Sequence, residues 1–189
     1  WAVPRQYLEA ASHHPFVDQV VDCREVNKSD FTVSYNITTA CGRYEIAKSP
    51  LADKHRSDIW SEHCGVFLTK HHMHLNVSDE EKAEARRLLM SKITSPSAPI
   101  LALCPISAQI GKDLSGPVMM DVVLRLWQRG CNVVCLHTKR IPEMEKIGCP
   151  VINTLGIRKW ISALAASGYV VSVDTAALPC AGGLGRPLT

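Results

Sequence analysis

The chain has 189 residues, 46% hydrophobic and 21% charged, enough apolar material for one or two buried cores and too much for a disordered chain. Its 21 Lys and Arg stand against 18 Asp and Glu, a formal net charge of +3; that excess is too small for a nucleic-acid scaffold, so an anion site has to be local. No apolar run reaches the ~18 residues of a membrane helix and no signal-peptide pattern opens the chain, which points to a cytoplasmic setting.

The sequence begins at Trp1 without Met and stops just after Pro187 as another strand begins, so it reads as a fragment of a longer protein. In chain order, "HHPFVDQVVDC" and the alternating "FTVSYNI", with Phe31, Val33, Tyr35 and Ile37 on one face, predict short strands. Leu51 to Val66 predicts a helix with His55, Ile59 and His63 at helical spacing. Ser78 followed by Glu81 is a capping box, and acidic residues precede basic ones, so a helix starts near Asp79. "TSPSAP" breaks it and marks a boundary.

Beyond that boundary the pattern is regular. "PILALCP" predicts a buried strand, and Pro117 opens a helix that Gly130 stops, with Val118, Met119, Val122, Val123, Leu126 and Trp127 on one stripe. "NVVCL" predicts a second strand, "KRIPEMEKIG" a short helix-prone stretch and "PVIN" a third strand. "IRKWISALAASG" predicts a helix with Ile157, Trp160, Ile161 and Leu164 inward, and "YVVSV" closes the series. Continuous apolar strands alternating with amphipathic helices indicate an α/β fold, a parallel sheet covered on both faces.

The eight cysteines, at 23, 41, 64, 104, 131, 135, 149 and 180, lack paired short spacings and read as buried reduced thiols. "HHMH" at 71 to 74 with Cys64 nearby lacks the ordered Cys and His pairs of a structural zinc site, so no metal is expected and these histidines read as loop residues.

A parallel sheet binds ligands at the carboxyl ends of its strands, where helix N-termini open toward the crevice. Two loops have that position. One follows "ILALCP" and carries Ser107 and Lys112; the other follows "YVVSV" and carries Asp174 and Thr175. A mobile cation, a hydroxyl donor and the amides of Thr175 to Ala177 together describe a phosphate or diphosphate site. Taken singly these residues are bland: a loop Lys is ordinarily solvated, an Asp caps helices, Leu155 suits a core and Glu143 a solvated helix face. Only the convergence of the two loops favours a site.

The blocks "ALCPISAQIGKDLSGPVMMDVVLRL", "LGIRKWISALAASGYVVSV" and "SVDTAALPCAGGLGRP" resemble the C-terminal domain of glycosyltransferase family 9, the ADP-heptose:lipopolysaccharide heptosyltransferases, and "HPFVDQVVD" with "HRSDIWSEHCGVFL" resembles the end of that family's N-terminal domain. The resemblance implies a Rossmann-like GT-B architecture, incomplete here. Residues 1–77 would be a remnant of the acceptor-side domain, 78–97 a linker helix and boundary, and 98–189 the nucleotide-sugar domain. It implies that Ser107, Lys112, Thr175 and Ala176 hold the donor diphosphate, that Asp174 contacts the sugar or phosphate, and that Leu155 and Glu143 lie on the base and ribose side. The general base, an Asp, would lie upstream of Trp1. The implied partners are a nucleotide-sugar donor, an ADP-sugar, and a saccharide or lipid-linked saccharide acceptor, with peripheral contact at the inner membrane face; no cofactor and no nucleic acid are implied. Ala176 stands where the family signature has Gly and Pro179 where it has His. Two readings therefore stand: a sugar transferase, and a nucleotide-binding or structural domain whose chemistry has been lost.

Overall fold

The structure is a computed structural model that describes residues 1–189 apart from His72, Ala108, Ile110 and Thr154. In chain order it forms β1 (Ala2–Val3), α1 (Leu8–Ala11), β2 (Val21–Asp22), α2 (Ile37–Lys48), α3 (Arg56–Cys64), α4 (Asp79–Met90), β3 (Ile100–Cys104), α5 (Gly116–Gln128), β4 (Asn132–Leu136), α6 (Pro142–Lys146), β5 (Val151–Ile152), α7 (Ile157–Ala166), β6 (Tyr169–Ser172) and α8 (Ala177–Gly183), with short 3-10 turns between. Two compact units result, one of residues 1–22 with 73–189 and one of residues 23–72.

The first unit is built on a four-stranded parallel sheet of order β5-β4-β3-β6. Its strands are largely apolar because both faces are covered, as expected of a parallel sheet. Alternate residues part cleanly. Ile100, Ala102, Cys104, Val134 and Leu136 pack with Leu89 of α4, Ile161 and Leu164 of α7 and Ala177 and Ala181 of α8. Leu101, Leu103, Val133 and Cys135 pack on the other face with Met119 and Val123 of α5 and Met144 of α6. Pro117 lies in the first turn of α5, and Gly130, at φ +75°, supplies the left-handed turn into β4. After β6 the chain returns as α8, and Pro187–Thr189 runs beside the strand: Val170 N donates to Pro187 O (3.0 Å), Thr189 N to Val170 O (3.1 Å) and Ser172 N to Thr189 O (3.0 Å).

The capping box at the start of α4 forms as the sequence predicts: Glu81 N donates to Ser78 Oγ (3.2 Å) and Ser78 N to Glu81 Oε2 (2.9 Å). Glu81 also takes a two-pronged ion pair from Arg158 of α7, with Nε at 2.6 Å from Oε1 and Nη2 at 2.6 Å from Oε2. This pair binds the two helices that cover one face of the sheet.

The N-terminal stretch departs from expectation. "HHPFVDQVVDC" yields only β2, paired in parallel with β1. In the second unit "FTVSYNI" forms no strand: Phe31, Val33 and Tyr35 are exposed, and Asn36 instead caps α2 by accepting from Thr39 N (3.0 Å). Alternation makes a strand only where a neighbour pairs its backbone and a layer covers its apolar face. The helix predicted over Leu51 to Val66 contracts to α3, with His55 as its N-cap and Gly65, at φ +66°, ending it. The cysteines also divide: Cys41, Cys104, Cys135, Cys149 and Cys180 are buried free thiols, whereas Cys23 is exposed and Cys64 and Cys131 are half-buried, outside the apolar strands.

Candidate functional site

The chain runs outward from β3 to β4 to β5 and then crosses back to place β6 on the other side of β3. Loops leaving neighbouring strands on either side of such a reversal diverge and open a crevice at the carboxyl ends. A cavity of about 800 Å³ lies there. Cys104, Leu136 and Ile152, the last residues of β3, β4 and β5, form its floor, and Thr175 and Ala176 close it after β6.

The cavity has two chemical characters. Leu155, Ile157 and Trp160 contribute apolar and aromatic surface to its lining, whereas Ser107, Asp113, His137, Lys139, Arg140 and Thr175 contribute polar groups. A planar base on the former and a phosphate chain along the latter would each meet matching chemistry.

The two loops are held firmly. Leu114 N donates to Pro105 O (3.0 Å) and Ser107 N to Asp113 Oδ1 (2.6 Å), while Ser107 Oγ accepts from Gln109 N (3.1 Å), which leaves its proton available to a ligand. Across the crevice Ser172 Oγ lies 3.3 Å from Cys104 O and 3.0 Å from Thr175 Oγ1. Thr175 Oγ1 in turn accepts from Ala177 N (3.1 Å) at the start of α8. The Thr175 and Ala176 amides find no acceptor among the described residues. Ala176 sits at φ −57°, ψ −19°, an ordinary conformation for any residue, so the Ala in place of Gly adds no backbone strain. Pro179 occupies the third position of α8, where a backbone N–H has no helical partner anyway.

Lys112 and Asp174, 62 residues apart in sequence, form an ion pair with Nζ at 2.5 Å from Oδ2. The pair joins the β3 loop to the β6 loop; neither residue lines the cavity itself, although their chain neighbours Asp113 and Thr175 do, and both side chains remain substantially exposed. Ser107, Thr175, Ala176 and Leu155 line the cavity. Glu143 does not: it sits on α6 against Gly116, where a Cβ would come within 2.7 Å of its Cγ. Sequence reasoning missed His137, Lys139 and Arg140, although they follow β4 as directly as Ser107 follows β3. Arg140 is engaged by Glu145 through two bonds of 2.8 and 2.7 Å, which hold the Glu145 carboxyl below its ordinary range; Lys139 makes no ion pair among the described residues.

Among the described residues no group of three or more His, Cys, Asp or Glu could hold a metal ion. The "HHMH" segment includes His72, which lies outside the described residues; His71 is paired with Asp58 at 2.6 Å. No helix among the described residues is long and apolar enough to cross a membrane.

No family model and no curated protein matches the chain. Solved structures do. The glycosyl transferase family 9 structure from Veillonella parvula DSM 2008 aligns at a TM-score of 0.75 and 13% identity over 99% of this chain and 70% of its own. The E. coli heptosyltransferase WaaC structure with ADP-2-deoxy-2-fluoro heptose aligns at 0.58 and 15% identity over 100% of this chain and 76% of its own. E. coli ADP-heptose lps heptosyltransferase II aligns at 0.49 and 18% identity over 61% of this chain, which spans 38% of that protein's length. The α/β fold, a parallel sheet flanked by helices, is thus the one found in these GT-B type glycosyltransferases.

Proposed function

We propose that the chain is part of a family 9 type glycosyltransferase that moves a sugar, a heptose, from an ADP-linked donor to a saccharide or lipopolysaccharide-core acceptor. The observation that carries this reading is the cavity at the carboxyl ends of the strands, lined by apolar and aromatic residues together with polar and basic ones, with the Lys112–Asp174 pair joining the two loops whose Ser107, Asp113 and Thr175 line it. The fold shared with the two better-aligned structures supports it, and one of those was solved with an ADP-sugar analogue.

In this reading Ser107, Lys112 and the Thr175 and Ala176 amides bind the diphosphate, Asp174 contacts the sugar or phosphate, and Leu155 lies on the base side. Glu143 stays a ribose-side candidate that must leave Gly116 to take part. As the glycosidic bond breaks, its electron pair passes to the leaving diphosphate, and Lys112 with the preorganised amides stabilises the growing charge. The acceptor hydroxyl surrenders its proton to a general base as the new glycosidic bond forms. In the same reading the chain divides into an acceptor side (1–77), a connection (78–97) and a donor side (98–189), although residues 1–22 and 73–77 group with 78–189 in one compact unit. The setting is cytoplasmic, with contact at the inner membrane face through a lipid-linked acceptor.

A second reading, a nucleotide-binding domain that has lost its chemistry, draws on Pro179 standing where the family signature has His. Calorimetric titration with ADP, UDP and GDP, followed by donor turnover in the complete protein, separates them. Selective nucleotide binding that weakens in Lys112→Ala supports a donor site, and turnover lost by on the order of 10²-fold in the same variant supports transfer. Binding without turnover favours the second reading, and unchanged turnover in Lys112→Ala overturns the diphosphate assignment.

A further inference from the structure

The amino ends of the strands carry a different surface. The first two turns of α4 present Asp79, Lys82, Ala83 and Arg86 at helical spacing on one side, facing the carboxyl end of α7 and Gly168, the residue before β6. Together with Arg186, in the turn after α8, they enclose a cavity of about 430 Å³. Its floor is small: Ala83, Ala165, Ala166 and Gly168. Above it stand three cations and one carboxylate.

Arg158 and Lys159 of α7 are each paired with a carboxylate of α4. Lys82, Arg86 and Arg186 make no ion pair among the described residues, although Asp79 shares their cavity. The two guanidiniums are positioned by single bonds to backbone oxygens at the end of α7, Arg86 Nη1 to Ala166 O and Arg186 Nη1 to Ser167 O, each 3.4 Å, and Arg186 Nε reaches Leu184 O at 3.4 Å. These bonds offset the negative end of the α7 dipole. They use few of the five donors that each guanidinium offers. The remaining donors stand over a floor without side chains large enough to fill it, so an anion can reach them.

We propose that this cavity is a second anion site, separate from the donor cavity at the other end of the sheet, and that it takes a phosphate group. Two guanidiniums and an ammonium above a small-residue floor match a phosphate's negative charge and its several acceptor oxygens. Phosphate on a soluble molecule and phosphate in a lipid headgroup share that chemistry. Asp79 opposes the anion, which sets the site toward species carrying more than one negative charge or presented at a charged surface.

The test uses the full chain carrying Lys112→Ala/Lys139→Ala, which weakens anion binding at the donor cavity so that binding there is not mistaken for binding here. It is titrated with inorganic pyrophosphate and, in a second arm, sedimented with phosphatidylcholine vesicles with and without phosphatidylglycerol. The expected result is binding in at least one arm that weakens about tenfold in Arg86→Gln/Arg186→Gln. Lys82→Glu, on an exposed helix face with no ion pair to lose, is expected to weaken it as well without disturbing the fold. Pyrophosphate binding identifies a soluble phosphate as the ligand, and vesicle binding alone identifies a headgroup. No binding in either arm, or binding indifferent to these substitutions, overturns the proposal.

Discussion

Lys112 is the residue on which two loops depend, and its partner Asp174 is also its competitor. A phosphate approaching Lys112 meets an ammonium already satisfied by a carboxylate 2.5 Å away. An exposed pair of this kind is worth about 0–1 kcal/mol. Asp174→Asn is therefore expected to strengthen ADP binding up to about fivefold, while Lys112→Ala weakens it; calorimetry on both variants decides, and weaker binding in Asp174→Asn would show that the carboxylate serves the nucleotide rather than blocking it. Lys139, unpaired in the cavity lining, is expected to matter in the same sense, its Ala variant binding ADP more weakly and with less dependence on salt. The thiols separate by burial. Desolvation pushes Cys104 to about 12 and Cys149 and Cys180 to about 11, and raises Cys135 further. Alkylation of the folded chain is expected to label Cys23 first and Cys64 and Cys131 next, leaving these four untouched until denaturant is added.

At the scale of elements, the α4–α7 pairing is the connection most exposed to pH. The Arg158 guanidinium holds the Glu81 carboxyl below its ordinary 4.5, helped by the Ser78 amide. A depressed carboxyl contributes stability at pH above its unfolded value and loses it as pH falls through the folded one. Stability is thus expected to drop below pH 4.5 in the native chain and to do so less in Glu81→Gln, which starts about 1–2 kcal/mol lower because the ion pair is gone while the amide oxygen can still accept from Ser78 N. Urea unfolding across that range measures both. The same elements show what the sequence discloses. Strands β3, β4 and β6 and helices α4, α5 and α7 were legible because burial on two faces and on one stripe leaves patterns of different period. Ser107, Lys112, Asp174 and Thr175 were legible because position after a strand is readable. Trp160 and the residues after β4 were not. A tryptophan that fills a core and one that faces a cavity repeat at the same spacing, and "HTKR" differs in no way from a solvated loop until the strand order is known. The "FTVSYNI" segment misled because alternation is visible in a sequence and the absence of a pairing partner is not.

At the scale of the whole molecule the two units differ in how much apolar surface they hide. Residues 100–104 and 132–136 are buried at every position, whereas the second unit buries Cys41 and Ile59 among its apolar residues and leaves Phe31, Val33, Ile46, Leu51 and Phe67 exposed. Hydrogen exchange is expected to protect the amides of β3 and β4 most strongly and those of α2 and α3 far less, because local opening follows the burial that opposes it. Equal protection in both units would refute that ordering. Within the sheet, Leu164→Ala is expected to cost about 2–5 kcal/mol, since this fully buried side chain joins α7 to the strands beneath it. The segment Pro187–Thr189, hydrogen-bonded along β6, has a consequence for behaviour in solution. It occupies donors and acceptors that β6 would otherwise present as a bare edge, the kind of surface on which a second chain can add itself as a strand. Removing the residues after Gly185 is expected to increase self-association as concentration rises, a change that light scattering would register before any loss of helix or sheet.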